Sequence, residues 1–295
     1  SASTSAQISA PTLPQSQKFD QLRLVNSEVH LLEDKKNKMR ARDVLKDFKA
    51  GRLYPNKESQ VSFGFTDNTI WAALPLKNKS LTPRQAILKI DNAWLDEITV
   101  YHFDHTGLVL ESDIGVRTPF THRERKRRMP SVNLQLQPGA NYVLMRIRSK
   151  DPMTIPIYIG NAQATHDFEQ QNAYFYGALY GAMLILLIYN LVLYAYSKEI
   201  RYYLYSLYLL SFSVFNFTYT GHGFWLIWPD NIILQQWLMP TFMFFYLLAV
   251  VAFTIEYLQA ERYLPKLYSY RRAIYGLLVA LGVVILLTAN QSFAI

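Results

Sequence analysis

No cysteine occurs in the 295 residues, which excludes disulfide frameworks, thiolate metal sites, cysteine nucleophiles and iron–sulfur clusters together. The redox compartment stays open, because an extracytoplasmic domain of ordinary size folds without disulfides. Charge is also scarce: 18% of the residues are Asp, Glu, Lys or Arg, against roughly 25% in an average soluble domain. The scarcity is uneven. Residues 1–171 hold 24 of the 30 Lys and Arg and 18 of the 22 Asp and Glu, whereas residues 172–295 hold six and four. The chain is therefore not a single soluble domain, and its 51% hydrophobic content excludes disorder. The start, Ser1–Ala10, is small and polar and lacks an initial Met. Residues 1–27 are accordingly read as a tail left after removal of a secretory signal.

The second part contains four stretches free of Asp, Glu, Lys and Arg: Ala173–Tyr196, Tyr202–Trp228, Ile232–Ile255 and Ala273–Ala289. As a helix the first would reach ~36 Å, enough for a hydrocarbon core of about 30 Å. A soluble buried helix seldom runs so far without one charge on a solvated face. The connections carry the orientation. Lys198 and Arg201 lie between the first two stretches, and Arg262, Lys266, Arg271 and Arg272 between the last two. The connection GHGFWLIWPDN between the second and third has neither Lys nor Arg. Basic connections face the cytoplasm, so residues 1–171 are expected outside, with Trp225, Trp228 and Trp237 in an outer aromatic belt.

Residues 60–160 have the period of strands. Ile98, Val100 and His102 alternate with Thr99, Tyr101 and Phe103, and Val143, Met145 and Ile147 with Leu144, Arg146 and Arg148. Turn signals fall between such runs at Asp91-Asn92, His105-Thr-Gly107, Gln137-Pro-Gly139 and Asp151-Pro152. Arg42–Phe48 reads as one or two helical turns. The fold expected is an all-β extracytoplasmic jelly-roll sandwich followed by an α-helical polytopic membrane bundle. Residues 28–162 form the sandwich, 163–172 a linker and 173–295 the membrane domain. The linker sequence THDFEQQN lacks Gly and Pro and is read as an outward continuation of the first membrane helix.

Val61–Asn78, with Phe63, Gly64, Phe65, Trp71, Leu74, Leu76 and Asn78, follows an "nFGftd-s-yW-l-l-l-N" pattern. Leu95–Gly107, the LQPGANYVLMRIRS strand, Gly177–Tyr194, Arg201–Phe212 and Gly221–Asn231 follow in order. In this order the chain resembles the bacterial seven-transmembrane receptors with diverse intracellular signalling modules. The resemblance implies a carbohydrate-binding-like outer domain, seven spans of which these residues hold four, and a cytoplasmic output beyond them, a diguanylate cyclase or histidine kinase. It implies a multi-pass protein of the bacterial inner membrane with residues 1–171 periplasmic. The rival reading is a membrane transporter or enzyme with an accessory periplasmic binding domain. None of the four stretches carries an ionisable group at membrane depth, which disfavours transport.

The candidate ligand-binding residues are Trp71, Trp94 and Tyr101, whose ring faces suit sugar stacking, and Arg123 and Arg125 of the basic run THRERKRRMP, which suit an acidic group. The pleat puts Trp71 and Ala73 on one face and Ala72 and Leu74 on the other. A buried core Trp and a solvated edge are the plainer readings of these features. Gly177 and Gly181 form a GxxxG that lets helix backbones approach, inside the bundle or in a homodimer. Asn190 and Asn216 are amides in the spans that need partners away from lipid. No catalytic constellation, metal cluster or cofactor motif is apparent. The partners expected are a small-molecule or glycan ligand and membrane lipid, and nucleic acid is excluded by compartment.

Overall fold

In a computed structural model the described residues are 20–150 and 152–291. Most of the expected N-terminal tail (residues 1–19) and Asp151 of the Asp151-Pro152 turn lie outside the described residues. The chain divides into two compact units, residues 1–170 and 171–295.

The first unit contains β1 (Arg23–Leu24), β2 (His30–Asp34), helix α1 (Ala41–Lys49), β3 (Tyr54–Pro55), β4 (Ser62–Gly64), β5 (Thr69–Asn78) and β6 (Arg84–Ile90). It continues with β7 (Glu97–Phe103), β8 (Leu108–Asp113), β9 (Ser131–Leu136), β10 (Gly139–Arg148), β11 (Met153–Thr154) and β12 (Ile157–Gly160). One sheet has the order β3-β2-β5-β10-β7-β8, a second β1-β12-β6-β9, and β11 pairs with β4. The paired strands of the two large sheets are antiparallel, as between β10 and β5 or β12 and β6. This is the expected all-β sandwich.

Its core follows directly from the period of two. Ile70, Ala72, Leu74 and Leu76 of β5 and Val143, Met145 and Ile147 of β10 turn inward from the larger sheet. Ala86, Leu88 and Ile90 of β6, Val132, Leu134 and Leu136 of β9, and Ile157 and Ile159 of β12 meet them from the smaller one. The intervening residues therefore point to the outer faces. Helix α1 covers part of the larger sheet's outer face: Val44 and Phe48, one turn apart, join Trp71, Ala73, Phe103 and Leu144 in a second apolar cluster. Gly51 stops this helix by taking φ +71°, a left-handed conformation that costs glycine little. The β9–β10 turn uses Gly139 at φ +95° and is held by Asn141. That side chain accepts from the Gln137 amide at 3.0 Å and donates to the Gln137 carbonyl at 2.8 Å.

Helix α2 (Ala162–Ser197) begins in the first unit and continues into the second. It is followed by α3 (Ile200–Tyr219), α4 (His222–Leu226), α5 (Ile232–Tyr257), α6 (Ala260–Tyr263), α7 (Pro265–Ser269) and α8 (Arg271–Gln291). The expected linker is thus helical. Helices α2 and α5 are long and apolar enough to cross a membrane, by length and composition. The stretch expected as one span over residues 202–228 is not one helix. α3 ends at Tyr219, Gly221 adopts φ +78°, and α4 restarts for five residues. The 20 residues of α3 still measure about 30 Å. The fourth expected span lies within α8. In the second unit α3 meets α5 through stacked rings, Tyr208 on Phe253 and Phe215 on Tyr246.

Candidate functional site

The outer face of the larger sheet is divided between a covered half and a polar half. Register places Leu32, Trp71, Arg146, Thr99 and Asp113 in one row across β2, β5, β10, β7 and β8. The adjacent row is His30, Ala73, Leu144, Tyr101 and Glu111. Trp71, Ala73 and Leu144 lie in the cluster with α1. Arg146 and Glu97 stay about one-third exposed, with their charged atoms 4.0 Å apart. Arg117 donates to Glu97 at 3.3 Å, and the Thr99 hydroxyl donates to Asp113 at 2.6 Å. Tyr101 joins the two halves: its ring stacks on Trp71 at 5.9 Å and 30° while remaining half-exposed. Burial, reinforced by the Glu111 carboxylate, raises its pKa, so the phenol stays protonated at neutral pH. The face thus offers one half-exposed aromatic ring, a guanidinium and several carboxylates on neighbouring strands. Among the described residues no group of three His, Asp or Glu side chains is placed to hold a metal ion.

The five predicted ligand residues do not converge. Trp71 and Tyr101 are brought together, but Trp71 is only 1% exposed. A sugar cannot reach the face of a ring enclosed by Val44 and Phe48, so Trp71 supports Tyr101 and is not itself a platform. Trp94 is half-buried on the turn between β6 and β7, where its amide donates to the Asn92 side chain at 2.8 Å. Arg123 is a correction to the expected anion site. It is 4% exposed and donates to the carbonyls of Gly115 at 2.8 Å and Thr118 at 3.2 Å, with its guanidinium 4.6 Å from the Phe120 ring. Burial lowers its pKa to about 10, which leaves it charged at neutral pH and fastening the loop after β8. Arg125 lies apart, on the smaller sheet's side, donating to Asn133 of β9 at 2.9 Å. Sequence reasoning missed Arg146, Glu97, Thr99 and Asp113. The alternation of Leu144, Arg146 and Arg148 along β10 and of Thr99 and Tyr101 along β7 pointed to that face.

The membrane-helix candidates also differ among themselves. Asn216 accepts from the Tyr180 hydroxyl at 3.1 Å, an interhelical bond between α3 and α2. The same hydroxyl lies 2.9 Å from Thr220 Oγ1, which is 2.7 Å from His222 Nδ1. Asn190 instead donates to the Leu186 carbonyl of its own helix at 2.8 Å. A side chain begun at Gly177 or Gly181 would meet nothing within 4 Å, so the GxxxG face is open here. Close packing on a glycine occurs elsewhere, with Phe244 of α5 against Gly282 of α8.

The sandwich is similar to solved carbohydrate-binding modules. A family 35 module from Clostridium thermocellum is 10% identical, with 47% of this chain and 95% of that one covered and a TM-score of 0.23. A family 61 module solved in complex with β-1,4-galactotriose is 11% identical over 48% of this chain and 89% of that one, at 0.25. A family 35 module from Paenibacillus barcinonensis is 10% identical over 48% and 98%, at 0.23. At such scores these likenesses add nothing to the strand order and register given above. No curated protein matches the chain. Two halves of one family do match it: "7TMR-DISM extracellular 2" over residues 26–161 and "7TM diverse intracellular signalling" over residues 172–295. The chain belongs to the seven-transmembrane receptors with diverse intracellular signalling modules, as a membrane sensor with an extracellular segment.

Proposed function

We propose that the sandwich binds a small carbohydrate-like ligand on the polar half of the larger sheet's outer face, and that α2 passes the event into the membrane helices. The observation that carries the ligand reading is the half-exposed Tyr101 ring, held on Trp71, with Glu111 directly opposite and Arg146 in the next row. An aromatic ring accepts the apolar face of a sugar, while guanidinium and carboxylate groups donate to and accept from its hydroxyls. The relay reading is supported by α2, which has one continuous residue range from Ala162 to Ser197 and contains an apolar stretch long enough to cross a bilayer.

In this reading the protein sits in a bacterial inner membrane with residues 1–171 in the periplasm, lipid against its outward apolar side chains, and a diguanylate cyclase or histidine kinase as the output beyond these residues. The test is calorimetric titration of the detergent-solubilised chain with a panel of oligosaccharides, neutral and acidic. At least one should bind, and Tyr101→Ala should weaken it about tenfold, the loss of roughly 1.4 kcal/mol of stacking and burial. Absence of binding across the panel, or affinity unchanged from that of the unsubstituted chain in both Tyr101→Ala and Arg146→Ala, would overturn the assignment.

A further inference from the structure

The outer face of the smaller sheet carries a charged group in an unusual place. Lys89 sits on β6 between the inward-facing Leu88 and Ile90, so its side chain leaves the sheet on the side away from the core. Register sets it beside Tyr158 of β12 and Ser131 of β9. A lysine there would ordinarily reach water, yet Lys89 is 1% exposed. What covers it is the start of α2. The ammonium lies 4.2 Å from the centre of the Phe168 ring and 3.1 Å from the Asp91 carboxylate. Phe168 in turn packs on Tyr158, ring centres 5.9 Å apart. Glu169 lies 3.6 Å from Arg127 and also acts on Lys89 through space. Thr165, one turn earlier, is fully buried. The helix begins at a fixed point, because Asn161 accepts from the Ala164 amide at 2.8 Å as an N-cap.

Enclosing an ammonium costs several kcal/mol unless its partners compensate. Burial does lower the Lys89 pKa, with Asp91 and Glu169 opposing that shift and Arg128 adding to it. A methionine or leucine would fill the same space without that cost. What the ammonium supplies in exchange is direction. A cation is attracted to the face of an aromatic ring and to a carboxylate at defined positions, whereas apolar contact tolerates sliding. We propose that Lys89 is the positioning residue that seats the first turns of α2 on the smaller sheet, fixing the register in which the helix leaves the sandwich. Ile90 and Leu88 on the same strand belong to the core shared with β5, β7 and β10. One strand, β6, thus faces the shared core on one side and the helix on the other. This rests on the receptor reading for its purpose, but not for its geometry.

The natural lack of cysteine allows spin labels at Gln135→Cys and His166→Cys, both exposed, in the full chain in detergent. Their separation is measured by pulsed electron resonance without ligand. A narrow distribution is expected with Lys89 in place, a broadened one in Lys89→Met, and recovery of the narrow one in Lys89→Arg, which keeps the cation. Should Lys89→Met fold poorly, Phe168→Leu removes the ring from the half-exposed side and should broaden the distribution likewise. Hydrogen exchange gives the second readout: amides 165–171 should exchange at least tenfold faster in Lys89→Met while those of β5 and β10 do not change. Unaltered distances and exchange in both variants would overturn the proposal, and so would loss of protection throughout the sandwich, which would make Lys89 a general stabilising residue. A failure to find any sugar ligand leaves these outcomes readable.

Discussion

Ile70, Ala72, Leu74 and Leu76 lie on one strand of the sandwich and are closed off from solvent in a core shared with residues of the opposite sheet. Leu184 and Ile185 of α2 are 56% and 69% exposed, with no such counterpart. The residue types are nearly the same, so hydrophobicity alone does not decide burial. In the sandwich water is the surrounding medium, and apolar faces must find one another. In the helices every backbone group is satisfied within its own segment, and lipid accepts the apolar side chains that point outward. Polar residues are treated in the reverse way. Thr99 and Arg146 lie on the sandwich's outer face, whereas Tyr180, Asn216 and Thr220 are joined to one another between helices.

The sharpest way to break this contrast is to truncate one apolar residue in each region. Leu88→Ala should destabilise the sandwich by about 3 kcal/mol, because its neighbours in a closed core relax only partly. Ile185→Ala in α2 should change stability by less than about 0.5 kcal/mol. Thermal unfolding of the chain in detergent reads both. Comparable losses would show that the outward face of α2 is packed in a larger assembly.

A smaller effect comes from pH, in the sandwich. Burial lowers the pKa of His102, partly offset by its bond to Asn141 and by Asp104. Nε2 lies 3.0 Å from the Asn141 carbonyl oxygen, which can only accept, so this nitrogen carries the proton of a neutral ring. Above the unfolded value of 6.5 both states are neutral and the residue contributes no pH dependence. Below it the unfolded chain takes up a proton that the folded one does not, and stability falls until the lower folded pKa is passed. The expected slope is at most about 1.4 kcal/mol per pH unit from this residue. Denaturant midpoints between pH 7 and 5 would show it, and His102→Gln should flatten it. An unchanged slope in that variant assigns the effect elsewhere.

The smallest effect tests the open glycine face. Gly177→Ala and Gly181→Ala meet no atom within 4 Å, so each should stabilise α2 slightly, by less than about 1 kcal/mol through helix propensity. A loss of stability that depends on protein concentration would instead reveal a second copy on this face.

Legibility in the sequence followed how local each signal is. Strand alternation around Val143–Ile147, the helical turns at Arg42–Phe48 and the Gln137-Pro-Gly139 turn each depend on a few neighbouring residues, and the structure has all three. The break at Gly221 was hidden, because a stretch lacking charge reads as one span whether or not a glycine in it takes a positive φ. The candidate site was half legible. Trp71 and Tyr101 drew notice as aromatics, but the residues that complete their surroundings come from β7, β8 and β10, and polar and charged residues on those strands look like any solvated edge.

From sequence alone came the division into a strand-rich charged part and a charge-poor helical part, and the side of each strand on which a residue lies. Both follow from period and composition, which need no knowledge of distant neighbours. The tertiary structure decided what covers each outward face. α1 closes over Trp71, two carbonyls hold Arg123, and the start of α2 covers Lys89. Burial is settled by segments far apart in the chain, so a tryptophan offered as a sugar platform proved enclosed and a lysine of ordinary appearance proved to be one of the contacts between sheet and helix.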